Sequence, residues 1–162
     1  MGDWRLNWNG REVLAAAEAA VTIAGKKGAE MVEADMKRFC PVLKDEDYEN
    51  YGIDSFGFGG YVAKKRPGEL RDAIKTMKSK HGKNDLIVGV FDYSKGSKWE
   101  DTLGARAVFV EYGHAGPGDA RGPKVTTPQP FIRKARDRNK RKIPKIFAEE
   151  IKRQLRLNES SF

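Results

Sequence analysis

The reading of this chain turns on residues 104–135, GARAVFVEYGHAGPGDARGPKVTTPQPFIRKA. Ala107, Phe109 and Glu111 alternate with Val108, Val110 and Tyr112, and this period-two run of β-branched and aromatic residues predicts a strand over Gly104 to Tyr112. Gly113 stops it. Residues 113–128 form a long loop punctuated by glycine and proline, and Pro128 and Pro130 impose an extended approach to the next element. Pro130 suits the first turn of a helix, where a missing N–H costs nothing. Phe131, Ile132 and Ala135 then open an apolar helical face. The stretch has the make-up of a joint between elements.

Working outward, Leu86 to Tyr93 reads as a second strand, with Ile87 and Val88 expected to be at least partly buried, after a turn at Gly82 to Asp85. Too few residues separate it from the Ala105 strand for a helical crossover, so the two are expected to pair antiparallel. Glu69 to Lys80 reads as a short helix with Leu70, Ala73, Ile74 and Met77 on one face. Asn9 followed by Glu12 has the spacing of a capping box and opens an alanine-rich helix from about Gly10 to Arg38, weakened in its middle by Gly25 and Gly28. Its small side chains would allow close approach of another element or subunit. Over residues 131–157, Ile143, Phe147, Ile151 and Leu155 recur every four residues with Ile146 beside them. Pro144 calls for a break near Asn139 or a kink. The expected class is α+β: a long N-terminal helix, a small antiparallel sheet and a C-terminal amphipathic basic helix, in one domain over residues 1–162.

Residues 43–66 stand apart as an inserted loop or hairpin. They begin acidic and become aromatic and glycine-rich, and Phe56, Phe58 and Tyr61 could present a hairpin arm to a neighbouring subunit or pack over the chain's own sheet. The GFGGY run lacks the lysine and Ser/Thr of a phosphate-binding loop.

Composition bounds the function. The chain has 162 residues, 39% of them hydrophobic and 33% charged, which is polar for its size and points to a surface that needs a partner. Its single cysteine, Cys40, excludes an internal disulfide and a cysteine-based metal site. No signal pattern or membrane-length apolar run is present, so a soluble, unsecreted protein is expected. The net charge of +8 equals the excess of Lys and Arg between Arg133 and Arg156, the remainder being balanced. Arg133, Lys134, Arg136, Arg138, Lys140, Arg141 and Lys142 could track phosphates, meet an acidic protein surface, or form a solvated helix face.

Catalytic and metal-binding constellations are not evident, so no enzyme and no cofactor is expected. His81 and His114 have no matched nucleophile, and no spacing suits a metal. Glu111 is the one carboxylate in an otherwise apolar run. It could orient a loop through backbone N–H groups or pair with a basic residue across a subunit boundary.

Taken in order, Pro41-Val42, Gly68-Glu69-Leu70-Arg71-Asp72-Ala73-Ile74, Leu86-Ile87-Val88-Gly89, Phe109-Val110-Glu111-Tyr112-Gly113 and Pro128-Gln129-Pro130-Phe131-Ile132-Arg133-Lys134-Ala135 resemble the minor tail component, or neck and tail-completion, family of long-tailed double-stranded DNA bacteriophages. The 43–66 insertion departs from that pattern. The resemblance implies a virion structural protein, made in the bacterial cytoplasm, that forms a ring at the neck, completes the tail and helps join it to the DNA-filled head. A hexamer is the expectation, with head-closure and tail-terminator or tail-tube proteins as partners and double-stranded DNA passing nearby. Phe56, Phe58, Tyr61, Glu111, Tyr112, Gly113, Pro128, Pro130 and Phe131 are then interface candidates, and the basic run faces a partner or DNA. The alternative is a free basic nucleic-acid-binding protein that uses residues 133–156.

Overall fold

The computed structural model describes residues 10–42, 67–80, 82, 84–91, 102–113 and 127–159. Expectations for Asn9, the 43–66 insertion with Phe56, Phe58 and Tyr61, His81, and most of the 113–128 loop with His114 lie outside these residues. The described elements run α1 (Gly10–Phe39), α2 (Glu69–Asp72), β1 (Ile74–Lys78), β2 (Leu86–Val90), α3 (Leu103–Tyr112), α4 (Ile132–Asn139) and α5 (Ile143–Glu159). The fold is α+β, as the sequence implies, but the sheet is built from a different pair of strands.

α1 forms as read, and it continues as helix through both glycines. Ala20, Ala24 and Gly28, four residues apart, are buried along one stripe. α5 packs antiparallel on that stripe, presenting the predicted row of Ile143, Ile146, Phe147, Ile151 and Leu155. Small residues on one helix thus accept branched and aromatic ones from the other. A Cβ added at Gly28 would lie 3.6 Å from the Ile143 side chain, an ordinary contact distance. Gly28→Ala is therefore expected to stabilise the chain by about 0.5 to 1 kcal/mol through helix propensity, raising the melting temperature by about 2 °C. A lower melting temperature would mean that the α1–α5 contact has no room to adjust.

The segment after Asp72 departs from the helix expected over Glu69 to Lys80. Only Glu69–Asp72 is helical, and Ile74–Lys78 is a strand paired antiparallel with Leu86–Val90 in the register Ile74 to Val90, Thr76 to Val88 and Lys78 to Leu86. Ile74, Ala73 and Leu70 suit a helical face, but Ile74 and Thr76 are β-branched, and a complementary strand eight residues downstream decides the matter. The turn between them closes with Ser79 N–H donating to Asp85 C=O at 2.8 Å. α1 covers the sheet face that carries Ile74, Val88 and Val90, and Thr76 Oγ1 donates to Glu33 on α1 at 2.7 Å. Val88 is half-buried as expected, whereas Ile87 lies on the other face and is 47% exposed.

Gly104–Tyr112 is the second correction. It is helix, not strand, and does not pair with Leu86–Val90. Thr102 caps it, its side chain accepting from Ala105 N–H at 3.1 Å, and Gly113 ends it with φ 74°, a conformation open to glycine. Helical spacing turns Ala107, Val110 and Glu111 inward and leaves Val108 and Tyr112 outward. Tertiary contact overrides the β propensity of Val-Phe-Val.

The helical C-terminal segment breaks where Pro144 requires. α4 ends at Asn139, and Pro144 sits in the first turn of α5. The core gathers Met36 and Cys40 from the end of α1, Ile74 from β1, Ala107 from α3, and Phe131 and Ala135 at the start of α4. Burial, opposed by the charge of Arg71, pushes the Cys40 thiol up to about 11, so this cysteine is an inert small apolar group. No helix among the described residues is long and apolar enough to cross a membrane.

Candidate functional site

The two halves of the opening stretch meet at Glu111. α4 starts after Pro130 and Phe131, neither of which has a side chain able to cap it, and Phe131 makes no capping bond. Glu111, one residue from the end of α3, supplies the missing acceptor. Its Oε2 accepts from Ile132 N–H at 2.9 Å, and its Oε1 accepts from Arg133 N–H at 3.0 Å and from Arg133 Nε at 2.8 Å. A carboxylate there also meets the positive end of the α4 dipole.

The arrangement is reciprocal. Arg133 Nη2 donates to the backbone C=O of Glu111 at 2.8 Å, and Gln129 N–H donates to Val110 C=O at 2.8 Å. Both carbonyls belong to the last turn of α3, which lacks acceptor partners within its own helix. Tyr112 lies beneath the same guanidinium, with Arg133 Cζ 4.9 Å from the ring centroid. Glu111, Tyr112 and Gly113 thus cap α4, cradle Arg133 and stop α3, while Gln129 and Arg133 return the bonds. Pro130 precedes the cap and does not occupy the first helical turn; Pro128 is exposed.

Glu111 is 1% exposed. Burial opposes its ionisation, but the Ile132 N–H, the Arg133 side chain and the Arg133 N–H together outweigh this and hold its pKa below the ordinary carboxylate value. A carboxylate so held, with its lone pairs engaged, is a poor general base. Its partners are the chain's own backbone and Arg133, so of the two expected uses the geometry shows loop orientation. The described residues contain no group of three or more His, Cys, Asp or Glu that could hold a metal.

The basic run is sorted by its neighbours. Arg133 is spent on Glu111, Arg138 pairs with Asp35 at 3.3 Å, and Arg136 and Lys140 share Asp137 at 3.2 Å. Lys134, Arg141 and Lys142 are exposed and have no anionic partner among the described residues. The run is therefore not a uniform cationic face.

Three links to α1 escape sequence reading. Asp35 accepts from Asn139 Nδ2 at 2.8 Å at the helix break, and Glu33 accepts from Thr76 and from Lys37. Glu150 is buried in α5 and accepts from Arg153, Lys27 and Gln154; the bonds from Arg153 and Lys27 contribute most to holding its pKa down at about 2. Charged residues at helical surface positions give no local sign of partners 43 to 123 residues away.

Large apolar side chains remain outside. Val108 and Tyr112, four residues apart on α3, are exposed, as are Val13 and Leu14 near the start of α1 and Ile87 on the outer sheet face. Comparison with models of protein families, with characterised proteins and with solved structures found no match to this chain.

Proposed function

We propose that this chain is a structural component of a tailed bacteriophage neck, where copies of it form a ring that completes the tail and helps join it to the head. One observation carries the reading. Phe109–Gly113 and Pro128–Ala135, the elements on which the resemblance chiefly rests, are joined to one another through Glu111 and Arg133. Each residue of the pair has a structural task there.

Assembly would then proceed by surface complementarity. The cap fixes α3 against α4 and holds Val108 and Tyr112 outward, where apolar area is available for a subunit contact. Closed rotational symmetry would bury the same patches on every copy, and a sixfold tail makes six copies the natural number.

Quantitative mass spectrometry of purified tailed particles tests this directly. The expected result is the chain in intact particles, at a low, ring-like ratio to the tail-tube protein. Absence from intact particles would refute the proposal.

A further inference from the structure

We infer that the outer face of α5, together with the turn that precedes it, is a contact surface for the phosphate backbone of double-stranded DNA. This goes beyond the ring proposal and does not depend on it. The structure divides the cations of the C-terminal segment into two groups. Arg133, Arg136, Arg138, Lys140 and Arg153 are engaged by Glu111, Asp137, Asp35, Asp137 and Glu150. Lys134 on α4, and Arg141, Lys142, Lys145, Lys152 and Arg156 on or just before α5, are exposed, with no anionic partner among the described residues.

That second group has an order. The apolar row of α5 and buried Glu150 face α1, so the opposite side of the helix is the free one. Lys145, Glu149, Lys152 and Arg156 fall on that side at helical spacing, and Arg141 and Lys142 lie in the turn at its start. Glu149 is the single acid among them. Lys145 and Arg156 are about 16 Å apart along the helix axis, a length over which a duplex presents about ten phosphate charges.

Composition selects the occupant. A protein partner would be anchored by apolar or aromatic groups at the centre of the contact, and among the described residues the uncharged members of this face are Pro144 and Ala148. Single-stranded nucleic acid is held by stacking on aromatic rings, and Phe147, the one aromatic residue of α5, lies on the side packed toward α1. Point cations without stacking or apolar anchors suit a duplex backbone, read without regard to sequence.

The test is fluorescence anisotropy of a labelled mixed-sequence duplex titrated with the full chain over a range of salt. With about four phosphate contacts, log K is expected to fall with log salt at a slope of about −3.6, a loss of about 150-fold between 50 and 200 mM. The triple variant Lys142→Gln, Lys145→Gln, Lys152→Gln, changed only at exposed positions, is expected to keep its melting temperature and to reduce the slope to about −0.9. Arg136→Gln, altering a cation already paired with Asp137, should change affinity by less than about twofold.

Several outcomes would overturn the inference. They are no duplex binding at 50 mM salt, an unchanged slope in a folded triple variant, tighter binding of single strands, or polyglutamate competing as well as duplex at equal charge. The last would assign the face to an acidic protein surface.

Discussion

Glu111→Ala is expected to lower the stability of the chain by about 3 kcal/mol and its melting temperature by about 9 °C, a large effect for one carboxylate. The loss combines a helix cap, worth about 1 kcal/mol, with charge-assisted bonds to a buried acceptor, each worth about 1.5 kcal/mol or more. The Ile132 and Arg133 N–H groups would lose their acceptor at 2.9 and 3.0 Å, in a turn beside a fully buried phenylalanine. Arg133→Ala should cost far less, about 1 kcal/mol, because the Arg133 side chain is 43% exposed and Glu111 would keep both backbone donors. Urea denaturation of the two variants discriminates a cap from an ion pair. Equal losses would show that the pair, not the cap, holds α3 to α4.

The same carboxylate makes stability depend on acid. Its folded pKa lies below its unfolded value, so its contribution is complete above the ordinary glutamate range of roughly 4.3 and is lost as pH falls through the folded value. Glu33 and Glu150 are shifted the same way, Glu33 by its bonds to Lys37 and Thr76, and Glu150, down to about 2, by Arg153 and Lys27. The chain should therefore lose stability steadily below about pH 4.5. Glu111→Gln is expected to remove part of that slope and leave the share of the other two. An acid limb identical to the parent's would mean that Glu111 is not ionised in the folded chain.

The sequence discloses elements whose signal is local and misleads where a distant contact decides. α1 is long, its small residues recur every four positions, and α5 carries a clean apolar row interrupted by a proline at a permitted place; all of this is readable from spacing. Residues 104–112 contain both patterns. Val-Phe-Val-Glu-Tyr alternates like a strand, but Thr102 can cap a helix and Gly113 can end one, and the alternative that buries Ala107, Val110 and Glu111 together prevails. Ile74–Lys78 fails in the opposite sense, helical by periodicity until Leu86–Val90 offers it a partner. Gly113 and Glu111 are legible as special residues whichever element holds them. The Asp35–Asn139 and Lys27–Glu150 links were not, since nothing in a charged helix surface names its partner.

Phe131→Ala is expected to have the largest effect, about 4 kcal/mol, and to shift the denaturant midpoint with little change in slope. Phe131 is the bulkiest fully buried side chain and packs with residues from α1, β1, α3 and α4. Several of its neighbours, Ala107, Ala135 and Cys40, are small. They cannot swing into the space a missing ring leaves, so the cavity should persist and the cost should sit toward the upper end for such truncations. Phe131→Leu, which keeps most of the volume, should cost about 1.5 kcal/mol. The cap and the ring also act on the same first turn of α4. In Glu111→Ala with Phe131→Ala the losses should fall short of additive by about 1 kcal/mol, because a turn already loosened by losing its cap has less packing left to lose. Strict additivity would show that Phe131 holds α1 and the sheet together independently of how α4 begins.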